Sequence, residues 1–523
     1  MIAPRWWKYL KAGIYGVVYG YALFLLFATA LELQDARTHG SDQMINETGC
    51  NTPMTVFQPG SSRRNASVIL IHGLSANRRL MSYLGNTFAL GGYRVYALDL
   101  PGHGDNTDPF TFARAQQCAT VALESLIRNG SVDPKTTVLV GHSMGAAIAI
   151  RMADRDPVAA TVAISPGPTP LPRRMPANLL VFSAQYDIGL MKREAEQLQQ
   201  AAGGNRTQTG DFAQQRAFEL KHIPHATHTS LIFDPSVAAS SGEWINRSLA
   251  VTLPTKDREF SLWPIWSHWV MVGVVYSTIV GLACMLLLFP VSATIVAKMA
   301  GSRRTEIDDA HPSRALALVE GTAFAFAAVL LLILGTPLKF LHMYTGDYLA
   351  SLLLIVGVLF LLLNWKDAKA NFSISIAQKT AALVLGLATI LAFGAWLNWQ
   401  LDDAWLNPPR WLRFAALLPI LWIFSYAEEV MLGPVGAGKR RAFRFAIFLL
   451  LRLELWVACA VAAYSLASGQ ILLVILFTFL LAFSVLQRLA TDALRIRVSS
   501  APAAALFSAI LAAWFIAAVF PLT

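Results

Sequence analysis

Eight long apolar runs crowd the carboxy-terminal half of this chain and leave its backbone few choices. They fall near residues 268–290, 315–335, 348–364, 380–397, 412–432, 445–466, 471–486 and 502–520. About 20 apolar residues match the hydrocarbon thickness of a bilayer, where every N–H and C=O needs a partner inside the protein. Helices meet that demand within each segment, so 256–523 is expected to be an all-α membrane domain of about eight transmembrane helices. The run at 471–486 is also compatible with a re-entrant segment. Composition agrees, since 55% hydrophobic and 14% charged residues lie far from ordinary globular usage. A ninth run, residues 12–31, follows Arg5, Lys8 and Lys11 and leads into Glu32 and Asp35. It lacks a small-residue cleavage site, so 1–33 reads as an uncleaved signal anchor.

Lysine and arginine in the short loops orient these spans. With a cytoplasmic amino terminus, seventeen fall on the cytoplasmic side, including Lys298, Lys366, Lys439, Arg488, Arg495 and Arg497. Lys339, Arg410 and Arg413 alone fall opposite. The net charge of +10 is thereby largely a matter of topology, and no basic, aromatic-interleaved surface calls for a nucleic-acid partner. The expected location is the cell (inner) membrane, with residues 34–255 on the outer, periplasmic face.

That segment has a different character, mixed and turn-rich. Apolar or β-branched runs at 67–71, 93–98, 137–140, 159–164, 179–182 and 218–221 alternate with helical stretches, which predicts a parallel sheet with crossover helices. Gly141-His142-Ser143-Met144-Gly145 leaves one of these runs and enters a helix. A strand, a sharp turn and a helix with serine at the apex lift a nucleophile clear of a sheet. His72-Gly73-Leu74 and Asp99-Leu100-Pro101-Gly102-His103-Gly104 end two other strands, where an open sheet places its ligand loops. With these motifs in that order, residues 56–250 resemble the α/β-hydrolase family, lipases and esterases among them. The resemblance implies an α/β-hydrolase fold, Ser143 as nucleophile, and an oxyanion hole formed by the Leu74 and Met144 amides. His72 and His103 are expected to shape loops.

A serine hydroxyl needs a base, and the base needs an orienting carboxylate. Asp187 follows the 179–182 run and is the expected acid; a helix N-cap is the alternative. Of His222, His225 and His228, the resemblance favours His228, in His228-Thr229-Ser230-Leu231, shortly before the final helix. Pro224 keeps the three from sharing a helical face, which argues against a metal site. A serine triad requires no cofactor. Between 165 and 178 stand five prolines where relatives often insert a helical cap, so the cap is expected to be minimal. Cys50 and Cys118 are the cysteines of this segment, and a disulfide and two free thiols are both compatible with their spacing.

In the apolar half, Glu428, Glu429, Arg452 and Glu454 are expected to pair between helices. The adjacent glutamates resemble in part those of CAAX-type intramembrane proteases. Gly433 stands where that pattern has arginine, however, and no histidine follows His342, so the metal ligands are missing. No internal repeat marks a transporter. The expected function is hydrolysis of acyl esters of lipid or apolar substrates; acyl transfer by the same triad and a catalytically idle module on a transporter or scaffold are the alternatives.

Overall fold

The computed structural model describes residues 40–59, 65–250, 289–299, 314–334, 339–401, 405–434, 441–465 and 471–523, with scattered positions between 13 and 24. The expected anchor, the run at 268–290 and the junction after residue 250 lie essentially outside the described residues. The chain divides into two compact units, one of residues 23–279, 399–403 and 521–523, the other of 1–22, 280–398 and 404–520.

The first unit is an eight-stranded sheet in the order β1-β2-β4-β3-β5-β6-β7-β8. Its strands are β1 Gly40–Glu47, β2 Cys50–Phe57, β3 Ser67–Ile71, β4 Arg94–Leu98, β5 Thr137–His142, β6 Ala160–Ile164, β7 Leu179–Tyr186 and β8 Phe218–Thr227. From β4 through β8 neighbouring strands run parallel, while β1 and β2 pair antiparallel at one edge. Every residue of β3, β5 and β6 is buried, as expected for parallel strands covered on both faces. Alternation then sorts the side chains. Val68, Val140, Ile164 and Phe182 face one core, closed by α1 Ser82–Leu90 and α6 Pro235–Leu249. Ala163, Leu179 and Val181 face the other, closed by α3 Met144–Arg155 and α4 Gly189–Ala202. The remaining helices are α2 Phe112–Arg128 and the short α5 Thr209–Ala213.

The edge hairpin β1–β2 was not anticipated from the sequence. Its first strand, GSDQMINE, is almost wholly exposed and carries no apolar alternation. The hairpin turns at Thr48 and Gly49, both with positive φ, 52° and 74°, which matches a two-residue turn twisted like its strands. Cys50 is bonded to Cys118 across a Cα–Cα distance of 5.4 Å, fastening β2 to α2. At the loop after β4, the Leu522 N–H donates to the Gly102 carbonyl at 2.9 Å, and its carbonyl accepts from the Phe110 N–H at 2.8 Å.

The second unit is helical: α7 Arg314–Leu334, α8 Gly346–Leu363, α9 Trp365–Asn371, α10 Ile376–Leu401, α11 Pro408–Leu432, α12 Arg441–Ser465, α13 Ile471–Ile475, α14 Phe477–Val498 and α15 Ala501–Val519. Four described helices, α8, α10 over Ile376–Asn398, α11 and α15, are long and apolar enough to cross a membrane. Phe289–Met299 and Val319–Leu332 are shorter apolar helices. The run expected at 471–486 is a helix interrupted after Ile475, and α14 continues to Val498. Arg488 and Arg495, assigned above to a loop, therefore lie within a helix. The reason is pairing: Arg488 reaches Glu429 at 2.6 Å and also contacts Asp492, while Arg495 reaches Glu429 at 3.4 Å. Glu428 pairs with Arg452 at 2.8 Å, and Glu454 accepts from the Thr322 hydroxyl at 2.7 Å.

Candidate active site

The elbow is built by its small residues. Gly145 packs so tightly beneath β3 that an added Cβ would overlap the Ile71 and His72 carbonyls. Only such an approach lets α3 begin immediately after β5, and it throws Ser143 into the strained conformation φ 54°, ψ −115°. Ser143 itself is 5% exposed. Its carbonyl is held by the Ala146, Ala147 and Gly167 amides at 3.0–3.1 Å, so the turn is rigid on both sides.

Three side chains separated in sequence meet there. The Ser143 hydroxyl donates to His228 Nε2 at 2.9 Å, and His228 Nδ1–H donates to Asp187 Oδ1 at 2.9 Å. Asp187 sits one residue beyond β7 and His228 one residue beyond β8. Adjacent parallel strands thus present the Asp187 carboxyl and the His228 imidazole at the same carboxyl end of the sheet as the elbow. Asp187 does not cap α4, whose N-cap is Ile188. Burial opposes charge on the Asp187 carboxyl. Donation from His228, Ser165 and the Ile188 amide outweighs it and holds the group below the usual carboxylate range.

Ser165 was missed in the sequence. Its hydroxyl donates to Asp187 Oδ2, and its Oγ lies 2.8 Å from His228 Nδ1, so it touches both partners at once. It stands just after β6 with φ 46°. A serine closing a strand beside the elbow, followed by Pro166, was the available signal. His142 was likewise unassigned. Its Nε2–H donates to the His228 carbonyl at 3.0 Å, anchoring His228 from behind. Burial, then the neighbouring His228, pushes its pKa down from 6.5 to about 3, so it stays neutral and keeps that bond in one tautomer.

The remaining candidates fall into two groups. Gly73, just before Leu74, presses against the elbow: a Cβ there would come within 3.1 Å of Ser143 Cβ. Met144 is the first residue of α3, where amide N–H groups lack helical acceptors. His72 and His103 bond within their loops instead. His72 donates from Nδ1 to the Gly73 carbonyl at 2.8 Å and accepts at Nε2 from the Leu100 amide at 3.0 Å, and His103 donates to the Pro101 carbonyl at 2.8 Å. His225 is exposed with φ 58°, its amide bonded to Gln185 Oε1 at 2.8 Å. Residues 165–178 contain neither helix nor strand. They are pinned by Gly167 to Ser143, by Thr169 to Glu194 at 3.1 Å, and by Arg173 and Arg174 to Asp154 at 3.2 and 3.0 Å.

The family model of the alpha/beta hydrolase family matches residues 68–272. A Mycobacterium phage D29 protein described as a non-heme haloperoxidase is 31% identical over 99 residues, 18% of this chain and 34% of that protein. The chain thus spans about a third of the length of that curated relative. Among solved structures, a CIB-like hydrolase from Thermoplasma acidophilum is 19% identical, with 40% of this chain and 99% of that one covered and a TM-score of 0.32. A lidless α/β serine hydrolase from Xanthomonas campestris is 15% identical, with 42% and 97% covered and a TM-score of 0.34. For an esterase from Pyrococcus furiosus the values are 18%, 41%, 94% and 0.33. The chain therefore carries an α/β-hydrolase domain together with a helical region whose apolar helices are compatible with a membrane domain.

Proposed function

We propose that this protein is a membrane-integrated serine hydrolase that cleaves acyl esters of lipid or other apolar substrates. The observation that carries the reading is the unbroken relay Ser143 Oγ, His228 Nε2, His228 Nδ1, Asp187 Oδ1, with 2.9 Å at each hydrogen bond. Ser143 Oγ attacks the ester carbonyl carbon while His228 Nε2 takes its proton; Asp187 keeps Nδ1 protonated and steadies the imidazolium. The charge that develops on the carbonyl oxygen is met by the Leu74 and Met144 amides, the second strengthened by its position at the start of α3. His228 then protonates the departing alcohol oxygen, and a water activated by the same imidazole releases the acid from Ser143.

Residues 34–255 form the hydrolase domain in this reading, with the anchor 1–33 before it and the membrane domain 256–523 after it. The excess of lysine and arginine in loops of one side supports a hydrolase domain on the outer face of the inner membrane. The apolar character of the helical half supports lipid as the substrate class. Fluorophosphonate labelling of the full chain tests the chemistry. Labelling is expected in the parent protein and lost in Ser143→Ala, and a folded parent protein that does not label would overturn it.

A further inference from the structure

Strands β7 and β8 do not run in step to their ends. Ala184 stands opposite Ile223, but Tyr186 stands opposite Thr227, so two steps along β7 match four along β8. The two extra residues make a bulge, Pro224-His225-Ala226, opposite Gln185. Proline within a sheet is confined to edges and bulges, and Pro224 is at both. Ile223 and Ala226, three apart, face the same core, which the two-residue period of a regular strand forbids. Between them His225 takes φ 58°, a left-handed conformation unfavourable for a residue with a Cβ. Its N–H donates to Gln185 Oε1 at 2.8 Å, and the Gln185 carbonyl in turn accepts from Lys192 Nζ of α4.

The bulge decides what stands beside Asp187. Asp187 follows Tyr186 and His228 follows Thr227, so the Tyr186–Thr227 pairing brings carboxyl and imidazole to their 2.9 Å bond. Had the register of Ala184 and Ile223 continued, Ala226 would lie opposite Asp187, and His228 would stand two residues farther along, about 6.6 Å at strand spacing. Beyond the bulge the chain is held again, by the Thr227 N–H donating to Ser230 Oγ at 2.9 Å and by His142 Nε2–H donating to the His228 carbonyl at 3.0 Å. Gln185 supplies a hold within the bulge itself. We propose that Gln185 is a positioning residue for this site: by holding the His225 amide it fixes the bulge that draws His228 back to Asp187 and Ser143. The inference rests on the serine-hydrolase reading above and adds a residue outside the relay that sets the relay's geometry.

The test uses the detergent-purified full chain, with p-nitrophenyl butyrate hydrolysis and the rate of fluorophosphonate labelling as readouts. Gln185→Ala should lower kcat about fivefold, the weight of one hydrogen bond, with KM unchanged and the labelling rate falling in step. Gln185→Glu keeps an acceptor oxygen at the same reach and should hold kcat within about twofold of the parent. Gln185→Ala combined with His225→Gly should recover as well, because glycine takes φ 58° unaided. A melting curve matching the parent's shows that each variant is folded. Parental kcat in Gln185→Ala, a rise in KM that accounts for the loss, or a loss that persists in both Gln185→Glu and the double variant overturns the inference, while Ser143-dependent labelling of the parent leaves the hydrolase reading standing. A parent protein that neither labels nor hydrolyses the ester overturns that reading itself.

Discussion

Ser165 has the most to say at the scale of single residues. Its hydroxyl bridges Asp187 and His228, so removing it takes one donor from the Asp187 carboxylate without touching Ser143. A hydrogen bond to a charged group is worth roughly 1.5–3 kcal/mol, so Ser165→Ala should lower kcat on a soluble ester about 10- to 100-fold with little change in KM. Ser165→Gly separates this from backbone strain, because glycine accepts φ 46° without penalty. Both variants should lose activity alike; retention of activity in the glycine variant would sink the role. Ser143, Asp187 and His228 were legible because each stands at a strand end in a characteristic order. Ser165 and His142 were not, since what they do depends on which groups the sheet order sets beside them, and short local motifs carry no such information.

Elements follow the same division. Strands β3 to β7 were readable because their buried stretches are near-continuous apolar runs, and the edge strand β8 through Phe218 and Leu220 alternating with Glu219 and Lys221. The β1–β2 hairpin was invisible because β1 carries no apolar pattern and gains its place through backbone pairing with β2, itself paired with β4 and bonded to Cys118. The disulfide closes a separation of 68 residues. Replacing Cys118 with alanine is expected to cost roughly 2–4 kcal/mol, measured as a lowered denaturation midpoint in the oxidised protein, with the edge hairpin exchanging its amides first. An unchanged midpoint would mean that the hairpin is held by its β4 ladder alone. Among the helices, charges in α14 mimic a loop boundary. Arg488 is instead fully buried against Glu429 and Asp492, a pairing that no single-helix reading could supply. Arg410 behaves similarly: expected in a short loop, it lies in the first turn of α11 and donates to the Ala517, Ala518 and Phe520 carbonyls at 2.6–3.1 Å. A cation at those unsatisfied carbonyls complements the end of α15.

On the scale of the whole molecule, residues 521–523 belong to the hydrolase unit although nothing in their sequence says so. Leu522 pairs with Gly102 and Phe110, bracketing the loop that carries His103. Deleting 521–523 leaves the Phe110 amide without its acceptor, so hydrogen exchange there should accelerate, while the melting temperature of the sheet core stays nearly constant. Protection of Phe110 that survives the deletion would contradict the pairing. By itself the sequence determined the two kinds of region, the parallel sheet, the elbow and the strand ends that carry Asp187 and His228, because periodicity and chain order are local properties. Tertiary structure alone decided the edge hairpin, the bonded cysteines, Ser165 beside Asp187, the buried arginines of α14 and the docking of Leu522. Each of these joins groups distant in the chain, and their stabilisation arises only when packing brings them within hydrogen-bond or ion-pair reach.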